Sequence, residues 1–345
     1  MGDMPRGGVE DSGQHHSAGN KAGHKGKNTC QQVGLPSTTM PAVADDATAA
    51  FAQVAGLVDV RLAGDGLEFT VYRAKSPRYS GLDGDVALRI PKCDIFSNVN
   101  DPHLSGKELL QQELAIYSLL ESSAVPVPRP FELLEVGGKV AMLAQYIESD
   151  GSLPSPEALG RGLAQLHLVN LPTEFTTVAC EGYDVLTVLP RRIIHRLAEF
   201  RKFDPQPHSQ LPDTLSEEIL RSSITGLKRF PPSLLHMDWR PANLRTREGE
   251  VAAVVDFSNA LVGPPAVEIF RVLELLDPDP AFLRSYAVLT PVPDVSRAEE
   301  LCLRLDAAVM IALVFLSEAP DAQLAATRTL RVRELYSKLG EELLG

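Results

Sequence analysis

Three polar residues stand at spacings that suit the transfer of a phosphoryl group. Asp238 and Asn243 lie five residues apart in the loop HMDWRPANL, and Asp256 ends the apolar stretch AAVVD thirteen residues after Asn243. Phosphoryl transfer needs a carboxylate that takes the proton of the acceptor hydroxyl, oxygen ligands for Mg²⁺, and a cation on the phosphate oxygens. One loop and one strand end could therefore converge on a single metal and phosphate centre.

The pattern H-x-D-x-x-x-x-N, followed by an apolar strand that ends in D-F-S, resembles the catalytic and metal-binding segments of the aminoglycoside phosphotransferase and choline kinase superfamily, relatives of the protein kinases. The resemblance implies that Asp238 is the catalytic aspartate and that Asn243 and Asp256 bind magnesium. The chain departs from the family after the metal aspartate, where G-D-P-x-x-D is expected. Pro264 and Glu268 stand in place of the two aspartates.

A cation for the phosphates is expected on a strand in the first half of the chain. A protein kinase carries V-A-I-K there, after a glycine turn. This chain has V-A-L-R ending at Arg89, and Gly64 and Gly66 lie in the preceding turn. Ala87 and Arg89 share one strand face, whereas Lys92 falls on the other face. We therefore favour Arg89 as the cation, with Lys92 as the alternative.

The helix and the hairpin after this strand supply further nucleotide-binding candidates. Glu113, inside KELLQQELAIYSLLES, is the expected partner of the cation, and Glu108, on a different helix face, is the alternative. The strand MLAQYIE ends where the superfamily binds adenine. The resemblance therefore assigns Gln145, Tyr146 and Ile147 to the nucleotide base.

Residues that contact the acceptor are indicated only by position. Trp239 and Arg240 follow Asp238 directly and could contact the acceptor, although Trp239 could equally pack in the core. His236 is expected to orient the catalytic loop. Asp306 lies in the apolar stretch CLRLDAAVMIALVFL and is either an acidic contact for the acceptor or an exposed helix residue. Antibiotics, amino alcohols and sugars all stay open as acceptors.

Hydrophobic periodicity divides the chain into three segments. Residues 1–42 are rich in Gly, Ser, His and Lys without an apolar period, which predicts a disordered tail. Residues 43–147 show strand and turn patterns with one amphipathic helix, and residues 148–345 are mainly helical. With the resemblance, this predicts an α+β, two-lobed protein-kinase-like fold. A small antiparallel N-lobe sheet with one helix would bind the nucleotide, and a larger helical C-lobe would carry the catalytic loop and the substrate-binding helices.

Charge and cysteine usage exclude some function classes. A net charge of −12 argues against nucleic-acid binding, which needs a basic stripe, but an acidic surface could attract a cationic small molecule. No apolar run has the length of a membrane span, and the start of the chain lacks a signal-peptide pattern. The four cysteines are scattered, as is typical of reduced thiols. We therefore expect no membrane association and a cytoplasmic location.

These features together predict a small-molecule kinase that transfers the γ-phosphoryl group of ATP, or GTP, to a substrate hydroxyl with Mg²⁺. A protein kinase is disfavoured because only about ten residues separate Asp256 from the helix expected at 266–276, too few for an activation segment. A nucleotide-binding pseudokinase that acts as a scaffold is the other alternative. Arg89 and Pro264 favour it, and the presence of all three catalytic and metal-binding residues opposes it.

Overall fold

A computed structural model describes residues 29–31, 46–79, 85–100, 102–180, 184–203 and 214–344. Within these ranges the chain forms a small lobe around one antiparallel sheet and a larger lobe of helices, so the predicted two-lobed α+β fold is confirmed. Across the described ranges, no helix combines the length and the apolarity needed to cross a membrane.

The N-lobe is built on five antiparallel strands. In spatial order they are β2 (Val58–Asp65), β3 (Phe69–Lys75), β4 (Val86–Pro91), β8 (Lys139–Gln145) and β7 (Pro130–Val136). Side chains alternate between the two faces of the sheet. Leu88 therefore packs with Tyr72 and with helix α1 (Asp46–Ala55), whereas Arg89 faces the other side, opposite Met142 in the register of β4 and β8.

Helix α2 (Gly106–Leu120), which follows β4 in the chain, packs on the face that carries Arg89, opposite the face covered by α1. Ser105 caps the helix by accepting a hydrogen bond from the N–H of Glu108 at 3.4 Å. A side chain at Gly106 would lie 2.9 Å from the carbonyl oxygen of Cys93, so the glycine permits close approach to the end of β4. This contact fixes α2 beside the strand of the expected phosphate cation.

Two short strands precede α2, β5 (Ile95–Ser97) and β6 (Pro102–Ser105), and they pair antiparallel. A third strand, β1 (Thr29–Gln31), pairs in parallel with β5. The structure therefore differs from the predicted disordered tail at these three residues. The remainder of segment 1–42 lies outside the described residues.

The C-lobe is mainly helical. Its helices are α3 (Pro156–His167), α4 (Val185–Phe203), α5 (Glu217–Ile224), α6 (Pro265–Leu276), α7 (Ala281–Leu289), α8 (Arg297–Leu313) and α9 (Ala322–Leu344), with a π-helical turn (Val314–Glu318) between the last two. Apolar residues of α4, α5, α6, α8 and α9 form the largest buried cluster. The helices thus provide a rigid base for the loops that face the N-lobe.

Two small two-stranded sheets position the predicted catalytic segments. Strand β9 (Ser233–Leu235) pairs with β12 (Leu261–Gly263), and β10 (Leu244–Arg247) pairs with β11 (Glu250–Val254). The predicted catalytic loop, called the catalytic loop below, connects β9 to β10, and Asp256 follows β11. The catalytic loop and Asp256 therefore lie at the same end of the β10–β11 hairpin, as the spacing in the sequence predicts.

Candidate active site

Asp238 and Asn243 are joined by hydrogen bonds within the catalytic loop. Asn243 Nδ2 donates to Asp238 Oδ2 at 2.7 Å and to the Asp238 carbonyl oxygen at 3.0 Å. The Asn243 carbonyl oxygen accepts the N–H of Val255 at 3.0 Å, which brings the loop next to the segment that carries Asp256. The amide nitrogen faces Asp238, and no described residue hydrogen-bonds to the Asn243 amide oxygen, so this oxygen is free to bind a cation.

His236 holds the loop through backbone groups. Its Nδ1 accepts the N–H of Asp238 at 3.2 Å, so Nε2 must carry the ring proton, and Nε2 donates to the carbonyl oxygen of Val255 at 2.9 Å. Both ring nitrogens are therefore engaged. The side chain therefore links the backbone of Asp238 to that of Val255, next to Asp256.

Glu268, at the start of α6, accepts hydrogen bonds from the backbone of the same loop. Its carboxylate accepts the N–H groups of His236 at 2.9 Å and Met237 at 2.6 Å, and it lies 3.0 Å from His167 Nε2. Burial raises the pKa of Glu268, but the hydrogen bond and charge of His167 outweigh burial and lower it. Met237 has a φ of 64°, a left-handed conformation that such a residue keeps only when its surroundings enforce it. Despite the departure from G-D-P-x-x-D, a carboxylate therefore still braces the loop.

Asp256 occupies the turn after β11 with a φ of 67°, which Asp tolerates better than most residues. Its Oδ1 accepts from Ser258 Oγ at 2.6 Å and lies 2.5 Å from Arg89 Nη2. Burial raises the pKa of Asp256, but Arg89 and the Ser258 hydrogen bond lower it to about 2. Among the described residues none hydrogen-bonds to Oδ2, so this oxygen is free to bind a cation.

Arg89 is buried at the junction of the lobes. Its Nε lies 3.2 Å from Glu113 Oε2, its Nη2 lies 3.0 Å from Ser258 Oγ, and its guanidinium stands 4.1 Å over the Phe69 ring. Burial alone would lower the pKa of Arg89, but Asp256 and Glu113 raise it overall. The structure therefore brings the favoured cation, the favoured helix glutamate and Asp256 into one cluster.

The alternative residues lie elsewhere. Lys92 Nζ pairs with Asp65 at 2.8 Å, beside the turn between β2 and β3, and Glu108 is exposed in the first turn of α2. Gly64 lies in strand β2, and the Gly66 N–H donates to the Phe69 carbonyl oxygen at 2.9 Å to close the turn. The two glycines thus shape the turn, and their contact with a nucleotide stays a prediction.

Backbone hydrogen bonds occupy part of the expected adenine-binding segment. The N–H of Gln145 donates to the Arg129 carbonyl oxygen and that of Tyr146 to the Asp85 carbonyl oxygen, both at 2.8 Å. These two N–H groups cannot face a base without losing those bonds. The role of Gln145, Tyr146 and Ile147 at the base therefore stays a prediction.

Two candidate acceptor contacts lie inside the C-lobe. Trp239 is buried, and a side chain at Gly162 would come within 3.1 Å of its ring, so Trp239 packs against α3. Asp306 is also buried, with Oδ1 2.7 Å from Arg196 Nη1 and Oδ2 3.7 Å from Arg271 Nη1. This differs from both expectations for Asp306, because a carboxylate shared by two arginines is neither exposed nor open to an acceptor.

Arg240 stays at the surface, with its Nε 3.0 Å from the Asp238 carboxylate. Three further residues of this region were not anticipated from the sequence: Ser258, Tyr117 and Arg271. Tyr117 donates its hydroxyl hydrogen to Glu113 Oε1 at 2.5 Å, and its spacing of four residues from Glu113 on one helix was a usable signal. No comparable signal marked Arg271.

The two oxygen atoms at this site that are free to bind a cation suit Mg²⁺. In the described part of the chain, no three His, Cys, Asp or Glu side chains form a metal-binding group. Mg²⁺ is commonly held by one or two carboxylates together with substrate phosphates. Asn243 Oδ1 and Asp256 Oδ2 are the atoms that could hold it.

A small antiparallel sheet over a helical lobe, with an Asp-Asn-Asp cluster at their junction, defines a kinase-like phosphotransferase. The chain belongs to the phosphotransferase enzyme family APH, whose model matches residues 59–301. No curated protein shows significant sequence similarity to the chain.

Solved structures share this fold at low sequence identity. A mutant of aminoglycoside phosphotransferase APH(4)-Ia in complex with AMP-PNP and hygromycin B has a TM-score of 0.56 and 14% identity over 85% of this chain and 98% of its own. The streptomycin-ATP complex of APH(2")-IIa has a TM-score of 0.54 and 14% identity over 86% and 99%. The GDP complex of a mutant of aminoglycoside 2'-phosphotransferase-IIIa has a TM-score of 0.57 and 18% identity over 86% and 97%.

Proposed function

We propose that this protein transfers the γ-phosphoryl group of ATP or GTP to a hydroxyl group of a small molecule. The observation that carries the proposal is the junction at which Arg89, Glu113 and Asp256 meet beside the Asp238 and Asn243 pair. It combines a proton acceptor, two oxygen ligands and a cation. Nucleotides bound in the structurally similar phosphotransferases support the same assignment.

In this proposal each side chain has a defined task. Asp238 orients the acceptor hydroxyl and takes its proton as the hydroxyl oxygen bonds to the γ-phosphorus and the bond to the leaving nucleoside diphosphate breaks. Asn243 Oδ1 and Asp256 Oδ2 would hold Mg²⁺, which would supply charge neutralisation for the phosphates. Arg89 places positive charge where the phosphates must lie, and Glu113 limits the rotation of its guanidinium.

The acceptor is expected to be a small hydroxyl compound. The structural neighbours bind hygromycin B and streptomycin, which makes antibiotics one acceptor class to test, beside amino alcohols and sugars. The short segment between Asp256 and α6 supports a small acceptor over a peptide.

Acceptor-dependent ADP release tests the function, with Asp238→Asn as the decisive variant. Turnover should fall by about three orders of magnitude or more while ATP affinity stays within about threefold, because the proton acceptor is lost and the metal ligands are kept. Asp294→Asn, at an exposed position, is the matched control. Nucleotide binding without turnover of any acceptor would instead support the scaffold alternative.

A further inference from the structure

A buried arginine near the catalytic loop has an Nε that no described residue accepts a hydrogen bond from. Arg271 lies on α6 one turn after Glu268 and so shares the helix face that supports the loop. Only 9% of its surface is exposed, and in the described part of the chain its Nε has no hydrogen-bond partner. Its ion-pair partner, Asp306 Oδ2, is 3.7 Å from Nη1, beyond hydrogen-bond distance.

Such an environment is costly for a guanidinium. Arginine has five N–H donors, and a buried charge is tolerated when those donors are used. Asp306 gives its closer contact to Arg196, at 2.7 Å, so it satisfies Arg271 only in part. Burial and the neighbouring Arg196 lower the pKa of Arg271 against the opposing charges of Asp306 and Asp238. Arginine nevertheless stays protonated in proteins, so Arg271 is a buried cation with donors to spare.

The position of this cation relates it to the acceptor. Glu268 lies one turn before Arg271 on the same face of α6, and its carboxylate accepts the N–H of Met237, the residue before Asp238, at 2.6 Å. Arg271 therefore lies beside the loop that carries Asp238. An acceptor hydroxyl must lie at Asp238 in the proposed function. A second cation, Arg240, borders Asp238 at the surface, with its side chain half exposed. Groups on the acceptor close to the reacting hydroxyl therefore meet positive charge.

We propose that the acceptor carries an anionic group, a phosphate or a carboxylate, near the hydroxyl to be phosphorylated, and that Arg271 binds this group. The inference rests on the proposed function, because it takes Asp238 as the site of the hydroxyl. A guanidinium binds phosphate and carboxylate through paired hydrogen bonds, which would satisfy the unused donors. The sequence favoured a cationic acceptor because of the net charge and because of Asp306. In the structure both carboxylate oxygens of Asp306 face arginines, so Asp306 does not support a cationic acceptor. A cationic acceptor is thus the competing outcome of the test.

Sulfate is a suitable probe because it needs no turnover. Sulfate affinity is measured by calorimetry in saturating Mg²⁺ and ADP, so that the nucleotide phosphate site is filled, with chloride at equal ionic strength as the reference. Arg271→Gln should weaken sulfate binding by about tenfold or more, the order of one charged hydrogen-bonded contact. Arg304→Gln is the matched control, since Arg304 also joins α8 to α6, through Glu274 at 3.3 Å. Equal sulfate affinity in the parent and in Arg271→Gln would overturn the inference.

Thermal unfolding separates a ligand-binding role from a structural one. Without sulfate, Arg271→Gln should melt at or above the temperature of the parent, because it removes a buried charge that is only partly paired. A large fall in melting temperature, with sulfate affinity unchanged, would show that Arg271 serves only the fold. If Arg271→Gln does not fold, Arg271→Lys retains the charge beside Asp306. It should bind sulfate severalfold more weakly than the parent, and unchanged affinity would again overturn the inference.

Acceptor pairs that differ only in charge complete the test. ADP release is compared for glycerol phosphate and glycerol, for ribose phosphate and ribose, and for the cations gentamicin and hygromycin B. A preference for the anionic members that disappears in Arg271→Gln supports the inference. Turnover of the cations that Arg271→Gln leaves unchanged would overturn it and leave the phosphotransferase function standing. Loss of sulfate binding in Arg271→Gln with no turnover of any compound would uphold the anion site and count against phosphoryl transfer.

Discussion

Arg89 Nη2 lies 2.5 Å from Asp256 Oδ1, so one ion pair joins a strand of the N-lobe sheet to the loop after β11 in the C-lobe. Glu113 of α2 contacts the same guanidinium from another side, with Oε2 3.2 Å from Nε. Ser258 Oγ donates to Asp256 and also contacts Arg89. The relative position of the lobes and the charge at the proposed metal ligand are therefore coupled through Arg89.

Substitution of Arg89 tests whether this cation serves the nucleotide. Arg89→Ala should weaken nucleotide binding and slow transfer by about 2 to 3 kcal/mol in total, the order of one charged contact in a sheltered site. Arg89→Lys should recover only part of the loss, because an ammonium cannot contact Glu113 and Asp256 with a planar fork. Lys92→Ala is the control, since its partner Asp65 belongs to the exposed turn. Steady-state kinetics that rank Lys92→Ala as the damaging change would move the phosphate cation to Lys92.

The lowered pKa of Asp256 predicts a specific pH dependence of stability. The pKa is about 2 in the folded protein, against about 4 for an aspartate in an unfolded chain. A group with a lowered pKa stabilises the fold above about pH 4, and this contribution disappears as the pH falls toward about 2. Asp256→Asn should therefore reduce the free energy of unfolding by about 1 to 2 kcal/mol near pH 6, after allowance for solvent screening, and by less near pH 3.

Urea unfolding at a series of pH values measures this difference. Ser258→Ala removes one donor to Asp256 and keeps Arg89, so its effect should follow the same pH trend with a smaller size. Curves for the parent and Asp256→Asn that stay parallel from about pH 6 to about pH 3 would contradict the assignment.

Glu268→Gln tests the support of the catalytic loop. Glutamine keeps one carbonyl oxygen and turns an amide donor toward one of the two backbone N–H groups that Glu268 accepts. The free energy of unfolding should fall by about 1 to 3 kcal/mol, and kcat should fall while KM for the nucleotide stays nearly constant. Glu274→Gln is the control, because Glu274 is also a buried acid on α6 but pairs with Arg331 at 2.7 Å. The Glu274→Gln control should lose stability and keep its kcat. A similar fall in kcat in both variants would contradict a specific effect of Glu268 on the catalytic loop.

Asn100 connects the N-lobe to the end of α8. Its Nδ2 donates to the Met310 carbonyl oxygen at 3.2 Å and to Glu318 Oε1 at 2.9 Å. Asn100→Ala should lower the free energy of unfolding by about 1 to 2 kcal/mol and speed hydrogen exchange in the π-helical turn Val314–Glu318. Asn170→Ala, at an exposed loop position, is the control. Exchange in the turn that matches the control would show that Asn100 does not restrain it.

The sequence by itself determined the features that depend on local pattern. The period of two predicted Arg89 on one strand face and Lys92 on the other. In the structure β4 ends at Pro91, and Lys92, just beyond it, pairs with Asp65, whereas Arg89 contacts Glu113. The spacing of Asp238, Asn243 and Asp256 also indicated one shared centre. The loop before β10 and the segment after β11 lie at the same end of the β10–β11 hairpin. Such features involve neighbours in the chain, whose geometry follows from backbone regularity.

Only the tertiary structure decided which buried polar groups meet. Asp306 and its partner Arg196 are separated by 110 residues, and no periodicity within α8 reveals that an arginine of α4 faces it. The same holds for Glu268, whose role depends on the backbone of a loop more than thirty residues earlier in the chain. Arg271 had no signal in the sequence, because the packing of α4, α6 and α8 is what leaves its Nε without a partner among the described residues. Contacts between residues far apart in the chain orient each of these side chains. A local pattern of residue types therefore could not predict their partners.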